Sequence, residues 1–338
     1  KTENIMNRTL LFISLFSILT LVSCQSSKKN EAGKQNEIEL VAEKQLAFPL
    51  DEQTYYLSKS MFQFEENGKE YLHFENTRKS LYDIVIFDIK NQQIAKRIPL
   101  HKTGPNGLPA IFGSRPSLGS QYILVAQNNI SRISSINDKG EVIRNYKFQT
   151  PESQFTSLHL GSYYNTPSFV KDSCLFLKIG IPKPNMKRED WPQTHMFASL
   201  DLRTGEVKWV PIFYPPIFKE EYENIDGGYG FSYDYNYKEN RLVCGFFGYD
   251  SLMVTDDLKH IRWYNAKSKY LKSMKPKLGN AMAGINSIIE FCETPKYWHI
   301  MYDKYRDVYY RFAEMPYKLA PNESPYDEPK GKEFSVIV

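Results

Sequence analysis

"MFQFEENGKEYLHF", residues 61–74, decides the fold class of this chain. Apolar and polar residues alternate on both sides of Asn67-Gly68, and a spacing of two is typical of a β-strand with one buried face. Asn-Gly is the strongest short signal for a two-residue hairpin turn, because both residues readily adopt positive φ. The stretch therefore predicts two antiparallel strands joined by a tight turn.

Further strand pairs follow this hairpin along the chain. The stretch 81–100 adds two strands, so that residues 61–100 form one four-stranded unit. Four-stranded units that recur about every 50 residues are typical of a β-propeller. The sequence therefore predicts an all-β propeller of four-stranded blades, most simply six, with five to seven compatible. A large sandwich or an irregular solenoid is the competing architecture. The later strand–turn–strand patterns cover residues 132–148, 196–213, 251–265 and 298–315.

The sequences at the two ends of the propeller domain, residues 38–338, suggest how the last blade is formed. "KGKEFSVIV" (330–338) has the pattern of a third strand with no fourth strand after it. We therefore expect the C-terminal blade to be truncated. "IELVAEKQLAF" (38–48) precedes the first full unit and is expected to supply a strand to the last blade.

The N-terminal residues have the pattern of a secretory signal. An uncharged apolar run, Thr9–Ser23, follows Arg8 and the expected start at Met6. It is too short for a membrane span, which needs about 20 residues. A basic start, a short apolar centre and small residues at the end predict a signal peptide over 1–23.

The last residues of this signal suggest a lipid anchor. Leu21-Val22-Ser23-Cys24 resembles the lipobox of bacterial lipoproteins, in which the cysteine is acylated, here with palmitate as the expected chain. An ordinary signal followed by a chance cysteine is the alternative. Residues 24–37 are polar and predict a flexible tether behind the lipidated Cys24. The expected location is the periplasmic face of the outer membrane, with the cell surface as the alternative and the lipid bilayer as one partner.

Composition excludes several classes of function. The formal net charge of +4 is close to balanced, so the chain has no electrostatic signature of a nucleic-acid-binding protein. Each of Cys174, Cys244 and Cys292 has apolar neighbours, where a cysteine is usually a small buried hydrophobic residue. There is no Cys-x-x-Cys pair and no histidine cluster, so we expect neither a metal site nor a cofactor.

"YDKYRDVYYRF", residues 302–312, concentrates tyrosine and charge in one predicted hairpin. Strand alternation places Arg311 on the same face as Tyr309. We expect Arg311 to be a structural clamp that pairs with Asp303 or Asp307, or stacks on the Tyr309 ring. The alternative is that Arg311 or Tyr309 faces a ligand.

Candidate ligand-binding residues lie between the predicted strands, where propellers place binding loops. Tyrosine beside an amide or a carboxylate suits stacking on a sugar ring or contact with a peptide, although packing between blades explains the same residues equally well. Asn106 lies in "TGPNG" (103–107), which predicts either an anion-binding turn or an ordinary turn. The other candidates are Tyr163, Tyr164, Asn165, Asp226, Tyr229, Tyr233, Asp234 and Tyr235.

An enzymatic function is the second hypothesis. Asp226, Asp234 and Asp303 are the carboxylates that a glycan-active hydrolase or lyase would use at the mouth of a central channel. No catalytic residue is identified by sequence, since no Ser-His-Asp order and no intact sialidase-type Asp-box stands out. The first hypothesis is a binding or scaffolding module for a glycan, peptide or protein partner.

The lipobox, "HKTGPNGLPAIFG" (101–113), "ISSINDKGEVI" and above all residues 302–312 support a family resemblance. Over roughly residues 40–338, the chain resembles an uncharacterised family of bacterial propeller lipoproteins, described only as a domain of unknown function. The resemblance implies a propeller exposed to the periplasm or at the cell surface. It implies no established activity, and it transfers no catalytic residue.

Overall fold

The computed structural model describes residues 45–54, 58, 60–77, 82–108, 111, 113–117, 121–126, 132–148, 162–179, 188–216, 230–271, 289, 293–320, 323–324 and 334–338. The β-structure belongs to one compact unit, Ala47–Val338. Its strands form a five-bladed β-propeller, in which each blade is an antiparallel meander of consecutive strands.

The blades follow one another in chain order. The first contains β1 (Met61–Glu66), β2 (Lys69–Thr77), β3 (Tyr82–Asp88) and β4 (Gln93–Pro99). The second contains β5 (Ser114–Pro116), β6 (Tyr122–Ala126), β7 (Arg132–Ile136) and β8 (Val142–Lys147). The third contains β9 (Phe169–Lys171), β10 (Cys174–Lys178), β11 (Phe197–Asp201) and β12 (Val207–Trp209). The fourth contains β13 (Phe231–Asn236), β14 (Arg241–Phe246), β15 (Ser251–Thr255) and β16 (Arg262–Asn265). The fifth contains β17 (Lys296–Asp303), β18 (Val308–Glu314) and β19 (Phe334–Ile337). A 3₁₀ helix, Arg188–Gln193, lies between β10 and β11.

The first hairpin forms as its turn residues predict. Asn67 and Gly68 have φ values of 51° and 72°, the positive values that a type I′ turn needs. Met61 lies opposite Phe74 and Glu66 opposite Lys69, so the register is regular along all of β1. Local turn chemistry and alternation are therefore sufficient to form this strand pair.

Apolar side chains fill the spaces between consecutive blades. Ile84 and Ile98 of the first blade share a buried cluster with Tyr122 and Ile136 of the second. Similar clusters join the second blade to the third, the third to the fourth and the fourth to the fifth. Because both faces of most blades are covered in this way, strands such as β3 read as nearly continuous apolar runs.

The described residues form five blades, which lies within the predicted range of five to seven although six was the simplest expectation from spacing. The turn after β17 closes the ring, because Tyr305 and Lys304 contact side chains of the first blade. Gln63 Nε2 donates to the Tyr305 hydroxyl at 2.7 Å, and Lys304 Nζ lies 2.5 Å from Glu70 Oε1. The spacing of the repeats could not determine the number of blades, because closure of the ring depends on these contacts between distant parts of the chain.

Several sequence predictions fall outside the described residues. They include the signal peptide, Cys24, the tether, Cys292 and most of the stretch 38–48. Of the remaining cysteines, Cys244 is fully buried and Cys174 is partly exposed. Within the described ranges, no helix has the length and apolar character of a membrane span.

Candidate functional site at the hairpin end

The first strand of each blade lies around the central axis. Arg115 of the second blade contacts Tyr237, which follows the first strand of the fourth blade, and such a contact between non-neighbouring blades requires a position near the axis. The first strands run in the same direction, so the turns after β1, β9, β13 and β17 lie at one end of the axis. We call this end the hairpin end.

Tyr305 provides one aromatic ring at the hairpin end. Its ring is strongly exposed, with 63% of the residue surface accessible. Its hydroxyl donates to Glu70 and accepts a hydrogen bond from Gln63. Lys304 lies 5.0 Å from the ring centroid. Because its hydroxyl is held by the first blade, the Tyr305 ring has little freedom to move although it faces solvent.

Tyr237 provides a second ring and lies beside Arg115. Its hydroxyl accepts hydrogen bonds from Arg115 Nη2 at 3.1 Å and from the backbone N–H of Val170 at 3.4 Å. The ring remains 53% exposed and packs edge-on against Tyr235. Since both contacts use the hydroxyl oxygen as acceptor, the hydroxyl proton of Tyr237 remains available for donation.

An ion pair links the two turns that carry these rings. Lys238 Nζ lies 3.0 Å from Asp307 Oδ2, and Asp307 also accepts a hydrogen bond from the Tyr302 hydroxyl at 2.7 Å. The ion pair therefore holds the turn after β13, which includes Tyr237, close to the turn after β17, which includes Tyr305. We call Gln63, Arg115, Tyr237 and Tyr305 together the hairpin-end site, to which four blades contribute.

Asp234 lies just below this site on β13 and is partly buried. Its carboxylate accepts backbone N–H hydrogen bonds from Tyr302 and Tyr235, each at 2.8 Å. Burial raises the pKa of Asp234 to about 6, although these two hydrogen bonds and the charge of Arg115 oppose the shift. The carboxylate thus connects the first strands of the fourth and fifth blades.

Asp234 should make stability depend on pH. Its folded pKa of about 6 lies above the ordinary value of 3.8, so the folded state holds the proton more tightly. The resulting stabilisation is present below about pH 4 and is lost as the pH rises through 6, a total of about 2–3 kcal/mol. Relative to wild type, Asp234→Asn should therefore gain about 2 kcal/mol between pH 4.5 and pH 7.5.

Urea denaturation of both proteins at the two pH values measures this difference. Asp201→Asn is a matched control because Asp201, with a pKa of about 2, is charged in both conditions. The same stability difference between wild type and Asp234→Asn at both pH values would contradict the prediction.

Several backbone N–H groups of the inner strands β9, β13 and β17 are already hydrogen-bonded. Tyr302 N–H and Tyr235 N–H donate to Asp234, and Val170 N–H donates to the Tyr237 hydroxyl. Tyr233 N–H donates to the backbone oxygen of Asn165 at 3.3 Å. At these positions an incoming chain finds no free donor for strand pairing.

Two of the predicted ligand-binding tyrosines lie in the core. Tyr233 is fully buried and Tyr235 is 4% exposed, both in the apolar cluster between the third and fourth blades. Tyr235 stacks on Phe169 with ring centroids 4.3 Å apart. Packing between blades, the alternative that the sequence analysis left open, accounts for the position of both rings.

Tyr163, Tyr164 and Asn165 form a tight turn at the opposite end of the axis. Thr166 N–H donates to Tyr163 O at 3.0 Å, and the Tyr164 ring is 47% exposed beside His299. The contact from Tyr233 to Asn165 brings this turn together with β13. These residues therefore lie away from the hairpin-end site.

The remaining candidates have structural contacts or lie outside the described residues. Asn106 Oδ1 accepts the backbone N–H of Val142 at 3.0 Å, and Gly107 N–H donates to Gly104 O at 2.9 Å, as in an ordinary turn. The Asn106 side chain thus fastens this loop to the second blade. Asp226 and Tyr229 are not among the described residues.

Arg311 is buried, but its partners differ from those that we expected. Its guanidinium donates to backbone oxygens of the fourth blade and lies 3.4 Å from the centroid of the Tyr297 ring. Asp303 instead contacts Arg306, and Asp307 contacts Lys238. Asp303 and Asp307 were expected as partners because they are close to Arg311 in the sequence. In the fold, backbone oxygens of the fourth blade are closer to the guanidinium. The accepting oxygens belong to Phe246, Tyr249, Asp250 and Ala266.

A buried polar cluster near the start of β5 has the composition, but not the geometry, of a catalytic triad. Ser114 Oγ lies 2.8 Å from His73 Nε2 and donates to Glu75 at 3.1 Å. In a triad the carboxylate orients the histidine, whereas here both groups contact the serine. All three side chains are buried, and burial lowers the pKa of His73 to about 3. The cluster therefore stabilises the fold and does not activate Ser114 as a nucleophile.

The sequence of this chain matches one family of proteins. A family model described as a domain of unknown function, DUF4221, matches residues 37–338. The chain belongs to the DUF4221 family. A crystal structure of a DUF4221 member from Bacteroides vulgatus is 84% identical with a TM-score of 0.82, covering 90% of this chain and 84% of that one.

More distant structures show much weaker likeness to this DUF4221 protein. A protein of unknown function from Bacteroides caccae is 10% identical with a TM-score of 0.37, over 79% of this chain and 72% of that one. The catalytic domain of a Coprinopsis cinerea GH62 α-L-arabinofuranosidase is 10% identical with a TM-score of 0.39, over 86% and 93%. A comparison with curated proteins gave no match.

Sequence reasoning missed most of the hairpin-end site of this DUF4221 protein. Tyr305 lies in the tyrosine-rich stretch that we singled out, and Tyr237 closely follows the candidates Tyr233, Asp234 and Tyr235 in the sequence. The available signal for Tyr305 was its place in the turn of a predicted hairpin. The residues before Tyr237 were expected to lie between strands, whereas the structure places Phe231–Asn236 in β13. Arg115 and Gln63 had none, because they are ordinary polar residues within strands. Among the described residues, no group of three His, Cys, Asp or Glu side chains is arranged to bind a metal ion.

Proposed function

We propose that this DUF4221 protein is a lipid-anchored module that binds a glycan at the hairpin-end site. The observation that carries this proposal is a pair of exposed tyrosine rings fixed through their hydroxyls, Tyr237 by Arg115 and Tyr305 by Gln63 and Glu70. Exposed aromatic rings stack on the apolar faces of sugar rings, while neighbouring polar groups bind the hydroxyls. Rings held in place before binding lose little conformational entropy when the ligand arrives.

Carboxylate contacts favour binding over catalysis. Asp234 accepts two backbone hydrogen bonds, and Glu70 contacts Lys304, Gln63 and Tyr305. Asp303 contacts Arg306 and the backbone N–H of Tyr305. A glycosidase needs a carboxyl group free to exchange a proton with its substrate. The raised pKa of Asp234 has a structural cause, burial between two inner strands, and needs no catalytic explanation.

The capped inner edges favour a glycan over an extended peptide. A peptide that adds to a sheet gains most of its affinity from main-chain hydrogen bonds. At the hairpin end those donors are used by Asp234 and by the Tyr237 hydroxyl. Recognition here depends on side chains, which suits a sugar ring.

Removal of either ring should abolish most of the binding. Stacking of a nucleic-acid base on an aromatic ring contributes roughly 1–3 kcal/mol, and we expect a similar contribution for a sugar ring, so Tyr237→Ala and Tyr305→Ala should each weaken binding about 10-fold or more. The measurement is binding of the detergent-solubilised full chain to an array of neutral and acidic oligosaccharides. Tyr264→Ala, which removes an equally exposed tyrosine on β16, is the control. Glycan binding that survives both substitutions would exclude this site, and binding of peptides alone would exclude a glycan ligand.

The proposed anchor has its own test. Cells grown with an alkyne-labelled palmitate should incorporate label into wild type and not into Cys24→Ser, because Cys24 is the proposed acylation site. Cys174→Ser controls for labelling at another partly exposed thiol. Wild-type protein without label would contradict lipidation.

A further inference from the structure

Arg115 has an unusual position for a cation. It lies on the inner strand β5, is partly buried, and forms no ion pair with any described carboxylate. Its Nη2 donates to the Tyr237 hydroxyl at 3.1 Å and its Nε donates to Pro116 O at 3.3 Å. The guanidinium carbon lies 5.9 Å from the centroid of the Phe62 ring.

These contacts leave part of the guanidinium available. The group carries five N–H donors in a planar fork, and its hydrogen bonds with the described residues use two of them. Its positive charge acts on Asp234 of the fourth blade, where it opposes the rise in pKa that burial causes. A partly buried cation that makes no direct ion pair with a described carboxylate favours an anion that brings its own charge. A planar fork binds a planar carboxylate through two parallel hydrogen bonds.

We propose that Arg115 binds the carboxylate of an acidic sugar, so that the ligand class of the hairpin-end site is a hexuronate-containing glycan. The proposal rests on the proposed function and names its substrate class. In a hexuronate the carboxylate is attached directly to the sugar ring. One residue therefore reaches Arg115 with its carboxylate while its ring contacts the Tyr237 ring. The free hydroxyl proton of Tyr237 donates to the same carboxylate or to a ring oxygen.

The experiment compares glucuronate- and galacturonate-containing oligosaccharides with their carboxyl-reduced, neutral counterparts. Binding to the detergent-solubilised full chain is measured for wild type, Arg115→Gln and Arg203→Gln. Arg203 is a matched control, since it loses the same charge from a turn where its side chain is 71% exposed. Melting temperatures of all three proteins establish that they are folded.

The comparison is a cycle in which one change is made in the protein and the other in the ligand. Wild type should bind the acidic form at least about 10-fold more tightly than the reduced form, as a charge-assisted hydrogen-bonded pair does. Arg115→Gln should lose that preference, so that it binds the acidic form no more tightly than the reduced form. Arg203→Gln should behave as wild type with both forms.

Three outcomes overturn the proposal, and they are distinguishable. Equal binding of acidic and reduced forms by wild type excludes the carboxylate but leaves glycan binding intact. An acidic preference that persists in folded Arg115→Gln assigns the carboxylate to another residue. Absence of binding to any oligosaccharide, neutral or acidic, overturns the proposed glycan function and the inference with it.

Discussion

Arg311→Met should lower the free energy of unfolding by about 3–5 kcal/mol, because it removes the donor to a group of buried carbonyl oxygens. Arg311 is 2% exposed and belongs to β18 of the fifth blade. Its Nη1 donates to Asp250 O at 2.6 Å and Ala266 O at 2.9 Å, and its Nη2 donates to Tyr249 O at 2.5 Å and Phe246 O at 3.3 Å. Methionine keeps much of the volume but supplies no donor.

The side chain therefore holds the fifth blade to the loops of the fourth. Burial lowers the pKa of Arg311 to about 10, so the guanidinium stays charged at neutral pH. The Tyr297 ring, 3.4 Å away, adds a cation–π contact, and the Tyr297 hydroxyl donates to Asp250 Oδ1 at 2.6 Å. Arg311→Lys keeps a charge but not the fork that reaches several oxygens, so its loss of stability should be intermediate.

Urea denaturation at pH 7.5 measures these differences. Arg262→Met is the control, since Arg262 lies on the exposed strand β16 and pairs with Asp256. That substitution should cost less than about 1 kcal/mol. An Arg311→Met protein as stable as wild type would show that the clamp does not contribute to the fold.

Breaking the buried ion pair between Lys296 and Glu314 should have an effect of similar size. The two residues lie opposite each other in β17 and β18, and their side chains are 6% and 4% exposed. Removal of one partner leaves the other charge buried without its counterion, at a cost of about 3–5 kcal/mol. Glu314→Leu and Lys296→Met should therefore each destabilise the protein strongly.

The double substitution separates the pair from its environment. Lys296→Met/Glu314→Leu removes both charges, so it should recover most of the stability that either single change loses. The four proteins are compared by chemical denaturation under the same conditions. Additive losses in the double variant would show that the two charges do not depend on each other.

Local sequence patterns were sufficient for the strands and their turns. Asn67-Gly68 forms the predicted hairpin, since the positive φ values that it needs are a property of those two residues alone. The spacing of strand units predicted a propeller, and the strand at Phe334–Ile337 lies in the C-terminal segment where one was expected. These features depend on residues that are close in sequence, so periodicity and turn chemistry determine them.

The hairpin-end site could be predicted only in part. Tyr305 was in the stretch 302–312 that sequence analysis singled out. The candidates Tyr233 and Tyr235, by contrast, pack in the core. Alternation assigns residues to the two faces of a strand, yet in a propeller both faces meet another blade. Which tyrosines remain exposed therefore depends on how far each strand extends before its turn.

Sequence alone determined the all-β class, the propeller repeat and the turns, because each follows from interactions within a hairpin or between adjacent strands. Only the tertiary structure decided the partners of Arg311, which lie between 45 and 65 residues away in the chain. It also decided the ring of five and the meeting of Arg115 with Tyr237, which are 122 residues apart. Such contacts depend on the closure of the whole ring, and closure is a property of all the blades together.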